Sequence, residues 1–199
     1  MTCCAFSQTR RPVYTLSGGV AIPSQPWILK HYWDAGLHVS GGVGYPLTKH
    51  LTARAMFSYS HFPFDPEAVI KHDSYLAPWI RVDGYASKAV TASLQLKFDF
   101  VNSTRMTKFI PYLFGGPCWH YQIIGKYEEL FRWVSDDDEY LTRWFEKKVS
   151  SLGLELGVGL EYRISSRLGV LVEAARIVGL SVEPSCGAGI PVRVGLSYR

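Results

Sequence analysis

A two-residue alternation of apolar with small or polar side chains recurs in eight segments, and no other feature constrains the fold as strongly. Successive side chains of a β-strand point to opposite faces, so this alternation predicts strands with one apolar and one polar face. In the clearest segment, Val90, Leu94 and Phe98 alternate with polar residues. Pro111 and Pro117 interrupt the fifth segment and predict a bulge or a rim position there. The predicted strands span residues 13–22, 35–45, 51–63, 88–101, 108–124, 152–163, 168–179 and 191–199.

The connections between these segments alternate between short and long. The short connections are residues 46–50, 102–107 and 165–167, and the long ones are residues 23–34, 64–87, 125–150 and 180–190. Consecutive strands joined by short turns pair as antiparallel neighbours, and an even number of strands returns both termini to one rim. The order therefore predicts an up-and-down antiparallel barrel with long loops on the opposite rim.

The composition of the two faces indicates which one is outside. The polar face is rich in Gly, Ser, Thr and Ala, and only 19% of the chain is charged, against about 25% in an average soluble domain. Small side chains suit the narrow lumen of eight strands, whereas a water-exposed wall would carry many charges. Aromatic residues at strand ends suit the two membrane interfaces. These residues are Tyr14, Tyr45, Tyr59, Phe100, Tyr162 and Tyr198.

We therefore predict an all-β, eight-stranded antiparallel transmembrane β-barrel whose apolar face meets lipid. No run of about 18 apolar residues is present, which excludes a spanning helix. One alternative is a soluble, lipocalin-like ligand-binding barrel, which also alternates but turns its apolar face inward.

Several stretches resemble the small outer-membrane barrels of the OmpA-like and OmpX/OmpW-like families. The likeness covers residues 13–199 and is clearest in residues 40–47, in residues 152–163 and in the closing strand 192–198. That closing strand is similar to the C-terminal signal read by the barrel insertion machinery, although the last residue is Arg199 rather than an aromatic. The resemblance implies an integral protein of the Gram-negative outer membrane, in contact with the lipid bilayer and lipopolysaccharide, with both termini in the periplasm.

The ends and the cysteines add little to this interpretation. Residues 1–12 form a separate N-terminal segment before the barrel of residues 13–199, and their small, mildly apolar character predicts the remnant of an export signal. An ordinary disordered terminus is the alternative. Whether Cys118 and Cys186 pair is left open, because spacing alone does not decide it.

Eight charged residues fall on the face that is predicted to line the lumen. Their signs balance, and because unpaired charges are costly in a narrow interior, we expect them to pair. The network either fills and fixes the barrel or forms a small gate whose opening frees a conduit. The residues are Arg54, Lys97, Asp99, Glu155, Glu161, Arg163, Glu173 and Arg193.

His38 and Ser40 lie two residues apart and so share a face of their strand. A serine nucleophile needs a histidine base within hydrogen-bond reach, and a Glu of the lumen could orient that base. The pair therefore raises the alternative of a barrel enzyme that deacylates lipid A. Because both positions fall on the lumen face, we expect polar filler residues and a protein without enzymatic activity.

The connection 125–150 is unusually rich in aromatic residues around the acidic run 136–139. Its flanks have helical spacing, and its aromatic side chains form either a docking surface for an extracellular or envelope protein or a plug over the barrel mouth. The aromatic residues concerned are Tyr127, Phe131, Trp133, Tyr140, Trp144 and Phe145. We expect no metal site, no cofactor and no nucleic-acid partner, because the histidines are scattered and the cations are not clustered.

Overall fold

The computed structural model describes residues 11–25, 27–72, 80–101, 108–132, 140–180 and 189–199. Side chains are not described at residues 27–28, 72, 80–83, 126–132 and 140–146. The strands are β1 Val13–Pro23, β2 Gly36–Pro46, β3 Leu51–Phe62, β4 Ile80–Gly84, β5 Ser87–Asp99, β6 Phe109–Arg132, β7 Tyr140–Arg163, β8 Leu168–Gly179 and β9 Gly189–Tyr198. The helices are α1 Trp27–Tyr32 and α2 Pro66–His72. None of the described helices is long and apolar enough to cross a membrane.

Eight of the strands form a closed, fully antiparallel up-and-down barrel, as the sequence predicted. Each strand pairs with its neighbour in the chain, β9 returns to pair with β1, and β4 stands outside the ring with β6 as its partner. Residues of the wall lie directly opposite partners on the next strand. A path that steps from partner to partner once around the barrel starts at Lys88 and returns to β5 at Phe98, ten residues further along the strand. Such a stagger tilts the strands by about 35–45° from the barrel axis.

The wall separates two kinds of side chain by the strand alternation. Leu16, Leu94 and Leu152 point outward and are 65–70% exposed, whereas Thr15, Ser93 and Ser151 from the same strands are buried inside. The orientation is the reverse of a soluble barrel, in which apolar side chains fill the interior. The aliphatic face is therefore the outer face.

The turn-side rim carries five of the six expected aromatic residues, and Tyr59 lies half-buried in the loop-side half of β3 instead. Tyr14, Tyr45, Phe100 and Tyr198 are about half exposed there, and Tyr162 is somewhat less so. Phe98 and Phe109 extend the same ring of aromatics around the rim.

Two details differ from the expectations. The connection 125–150 is not helical: β6 runs to Arg132 and β7 starts at Tyr140, so the two strands form a hairpin that extends beyond the barrel. Pro111 lies near the rim, at the turn-side start of β6, whereas Pro117 lies within the strand without a bulge, and the register shift lies instead between Ile124 and Tyr127. The connection 64–87 contains α2 and β4, and the connection 23–34 contains α1. Local helical spacing was overruled because the hairpin continues the hydrogen-bonded ladder of its own strands.

Candidate functional site

The lumen is the candidate site, and an apolar cap lies at its long-loop end. Leu29 of α1 and Val69 of α2 are fully buried together with Phe62 and Ile124 from the strands below them. Asp65 caps α2 by accepting hydrogen bonds from the Glu67 and Ala68 amides at 3.0 and 3.1 Å, which fixes the start of that short helix. Trp33 and Phe64 pack edge to face at 5.3 Å against this cluster. Two of the long connections thus contribute side chains to an apolar cluster at the barrel mouth.

Replacing Val69 by alanine is expected to loosen this cap without disturbing the barrel. The change removes two buried methyl groups, worth about 1.5 kcal/mol of apolar burial, so local opening of the cap should rise about tenfold. Protease cleavage within residues 64–72 measures that opening. Ile70→Ala is the matched control, because the Ile70 side chain is exposed. The protein with this substitution should be cleaved at the wild-type rate.

Below the cap, the lumen is lined by uncharged polar side chains. The Ser17 and Ser40 hydroxyls are 2.6 Å apart, His38 Nδ1 is 2.9 Å from the Ser60 hydroxyl, and the rest of this layer includes Thr91, His120 and Gln122. The Gln122 side chain is fully buried and interacts with His120. This layer of the lumen is therefore polar but carries no acidic or basic side chain other than histidine among the residues named.

Glu173 is the centre of an ion cluster in the middle of the lumen. Its carboxylate accepts hydrogen bonds from Arg54 at 2.7 Å, from Arg193 Nε at 2.6 Å and from the Tyr112 hydroxyl at 2.7 Å. Arg54 also donates to the Gln95 side-chain oxygen at 2.7 Å. Glu173 and Arg193 are each only 1% exposed, so neither charge is solvated by bulk water and each depends on the other.

A second cluster surrounds Glu161 near the turn-side rim. Lys97 Nζ is 2.7 Å from Glu161 and 3.1 Å from Asp99, and Arg199 donates to the other Glu161 oxygen at 2.9 Å. The Ser197 hydroxyl adds a fourth contact at 3.1 Å. Residues from β5, β7 and the C-terminal strand therefore meet through one carboxylate and its partners.

Two aromatic rings join the clusters. The Lys97 ammonium lies 4.0 Å from the Tyr112 ring centroid, and the Arg54 guanidinium lies 4.6 Å from that of Phe114. Gly157 and Gly159 on the facing strand make room for these rings, because a Cβ at either position would collide with them. The lumen therefore contains these two aromatic rings in addition to the ion pairs.

A cavity remains at the turn-side end, between the two clusters. It has a volume of about 20 Å³ and is lined by residues that include Arg54, Lys97, Glu161 and Arg199. A cavity of that size holds about one water molecule.

Seven of the eight charged residues that the sequence singled out form ion pairs in the two clusters. Glu155 lies at the margin, with its oxygen 3.8 Å from Arg193. Arg163 lies near the Glu161 cluster, where it interacts electrostatically with Glu161 and Asp99. It forms no direct ion pair with any described residue, and its Nε and one terminal nitrogen are buried without hydrogen bonds. Sequence reasoning missed Tyr112, Phe114 and Gln95. Their positions could have been predicted from the strand alternation. Gln95 lies two residues before Lys97, and Phe114 and Tyr112 lie four and six residues before Cys118, so all three share the inward face.

His38 and Ser40 are both inside the lumen, but their hydrogen bonds go elsewhere. His38 faces Ser60 and Ser40 faces Ser17, so they are not arranged as base and nucleophile. Cys118 is a buried free thiol, and Cys186 lies outside the described residues.

The aromatic residues of the predicted loop surface fall on the hairpin extension. The backbone register places Tyr127 opposite Phe145 and Arg132 opposite Tyr140, and Trp144 lies opposite Glu128. Phe131 lies opposite Leu141, and Trp133 is outside the described residues. Among the described side chains, the apolar cluster at the barrel mouth includes residues of the connections 23–34 and 64–87.

Solved structures of bacterial outer-membrane barrels are similar to this chain. A major outer membrane protein from Thermus thermophilus aligns with a TM-score of 0.55 and 11% identity, covering 94% of this chain and 99% of that one. The outer membrane protein OprG from Pseudomonas aeruginosa aligns with a TM-score of 0.53 and 13% identity, covering 95% and 96%. The chain has the fold of the small outer-membrane β-barrels.

Ail, the attachment invasion locus protein of Yersinia pestis, has the same barrel fold, with a TM-score of 0.53, 11% identity and coverage of 94% and 96%. No protein-family model and no curated protein matches the chain. The OmpA-like and OmpX/OmpW-like resemblance is thus confirmed as a likeness of fold.

Proposed function

We propose that the chain is a non-enzymatic integral protein of the bacterial outer membrane, with a closed lumen and an outward-facing contact surface. The observation that carries this proposal is the predominantly aliphatic outer wall, with exceptions such as the exposed Arg176 of β8, around a polar, ion-paired interior. Placing that wall in lipid removes its apolar surface from water, whereas water outside would leave 27 large hydrophobic side chains of the eight barrel strands exposed. The turns and both described chain ends then lie on the periplasmic side.

Fractionation and gel mobility test the membrane assignment. A folded membrane barrel resists unfolding by detergent until it is boiled, so the unboiled protein should migrate differently from the boiled protein. We expect the chain in the outer-membrane fraction with this heat-dependent shift. Protein that stays soluble and monomeric without detergent would instead favour the lipocalin-like alternative.

A closed lumen predicts no conductance in planar bilayers. The apolar cap and two ion clusters lie in series, so weakening one cluster should not open a path. We expect Glu161→Gln to remain as silent as the wild type, since the Glu173 cluster and the cap stay in place. Steady channel currents from either protein would show that the network is a gate rather than a filler.

The contact surface that we propose is the hairpin extension of β6 and β7. The β7 backbone pairs with β8 only from Gly153 onward, and the Leu152 carbonyl accepts one more hydrogen bond from the Leu180 amide. Residues 140–146 therefore have β6 on one side and no strand on the other among the residues that the structure describes. An open strand edge can pair with an extended segment of another protein. Replacing residues 126–146 by a short turn gives the matched variant for partner tests, and it should keep the heat-dependent gel shift.

The lipid A deacylase alternative makes a clear biochemical prediction. It requires His38 and Ser40 to act together on a substrate that approaches from the lipid side, while both side chains are buried inside the wall. We therefore expect no palmitate release from labelled lipid A. Release that disappears in Ser40→Ala would establish the enzyme.

A further inference from the structure

The charged residues of this chain are segregated along the barrel axis. Four of the 17 acidic residues are in the lumen, and all the others lie in or beside the long connections. The turn-side residues that the structure describes outside the strands, 11–12, 47–50, 100–101, 108 and 164–167, include no Asp or Glu. They include Arg11, Lys49, Lys108 and Arg167. The charged side chains of these segments are therefore all cationic.

The described members of this set are exposed and distributed around the whole rim. Lys49 lies between β2 and β3, Lys108 precedes β6, Arg167 lies between β7 and β8, and Arg11 precedes β1. All four side chains are exposed. None of the acidic side chains described in the structure is exposed at this rim, because Asp99 and Glu161 point into the lumen and are engaged by Lys97.

The cationic ring directly borders the turn-side aromatic girdle. Tyr45 and Leu47 precede Lys49, Phe109 follows Lys108, and Tyr198 pairs with Leu168, next to Arg167. Aromatic girdles of membrane barrels lie at the level of the lipid headgroups. The cations therefore stand at the height where lipid phosphates would be.

We propose that this rim binds the phosphate groups of anionic phospholipids, with phosphatidylglycerol as the ligand, in the leaflet that faces the turns. The inference rests on the proposed membrane location. A ring of single cations spaced around a circumference suits many separate headgroups, whereas a protein partner would need a contiguous patch. Each Lys or Arg near an anionic membrane surface adds a favourable and salt-dependent interaction.

Native mass spectrometry of the folded barrel in neutral detergent tests the proposal with two probes of identical acyl chains, phosphatidylglycerol and phosphatidylcholine. The wild type should bind phosphatidylglycerol about tenfold more tightly, and added salt should reduce that preference. The triple variant Lys49→Gln, Lys108→Gln and Arg167→Gln should lose most of it. The matched control removes three exposed cations from the other end, Lys30→Gln, Lys71→Gln and Lys88→Gln, and should keep it.

Equal losses in the two triple variants would overturn the proposal, because they would reflect net charge rather than this rim. Equal binding of both lipids by the wild type would overturn it as well. Gel mobility of the same samples separates this failure from failure of the proposed function. A heat-dependent shift without lipid preference contradicts only the rim, whereas the absence of any shift contradicts the membrane barrel itself.

Discussion

Glu173→Ala is expected to lower the free energy of unfolding by about 3–5 kcal/mol, because it leaves two buried cations without their carboxylate partner. Arg54 and Arg193 both bond this carboxylate, and their exposed fractions are only 6% and 1%. The Tyr112 hydroxyl loses its acceptor at the same time. Urea titration of the barrel in lipid vesicles, followed by tryptophan fluorescence, measures the loss.

Two variants control for simpler explanations of that loss. Glu67→Ala removes an exposed carboxylate from α2 and should change the free energy by no more than about 0.5 kcal/mol. Adding Arg193→Met to Glu173→Ala should recover part of the stability, because one stranded charge is removed. A cost below about 1 kcal/mol for Glu173→Ala would mean that the ion cluster is solvated and the lumen open.

Leu94→Arg is expected to destabilise the barrel in a bilayer by about 2–4 kcal/mol. Leu94 lies halfway along β5, opposite Ala55, and its side chain is 65% exposed on the outer wall. In water, an arginine at such an exposed position would change stability by no more than about 0.5 kcal/mol. The same substitution therefore has very different consequences in lipid and in water.

The control for Leu94→Arg is the same substitution at a different depth in the membrane. Ile164→Arg places the same side chain at a turn, where the isoleucine is 57% exposed and where the cost should be about 0–1 kcal/mol. Urea titration in vesicles of both variants gives the difference directly. Equal effects at the two positions would argue against a bilayer around the middle of the wall.

The barrel could be predicted from the sequence because its signal is repeated in most of the strands, although β6 is apolar on both faces. In β5, all seven inward residues from Ser87 to Asp99 are buried, and the intervening positions face outward as the alternation required. The register follows from the same period, since a slip of one residue would turn every apolar side chain into the lumen. The short turns fixed the order of the strands.

The cap and the hairpin extension could not be predicted in the same way. Helix α1 has six residues and α2 has seven, which is too short for a periodic pattern to emerge, and their stability comes from packing on Phe62 and Ile124. The extension was misjudged because its helical spacing competes with a ladder that only the pairing of β6 with β7 provides.

The ion pairs of the lumen were predictable as a set but not as partners. The odd or even position of a residue along its strand determines whether its side chain points into the lumen. It does not determine the partner, because the ion pair of Arg54 with Glu173 joins residues that are 119 positions apart in the sequence. That contact depends on the tilt of the strands and on the space left by Gly157 and Gly159. No local pattern contains this information.

The central claim is that the aliphatic side of each strand meets lipid, and spin labels along β5 test it most directly. In a cysteine-free background, each variant carries a single nitroxide at one of the residues 90–97. The collisions of the nitroxide with oxygen and with a water-soluble nickel chelate are measured in vesicles. Oxygen accessibility should peak at Val90, Ala92, Leu94 and Leu96, with the chelate excluded there. Peaks at Thr91, Ser93, Gln95 and Lys97, or chelate contact along the outer wall, would contradict the account.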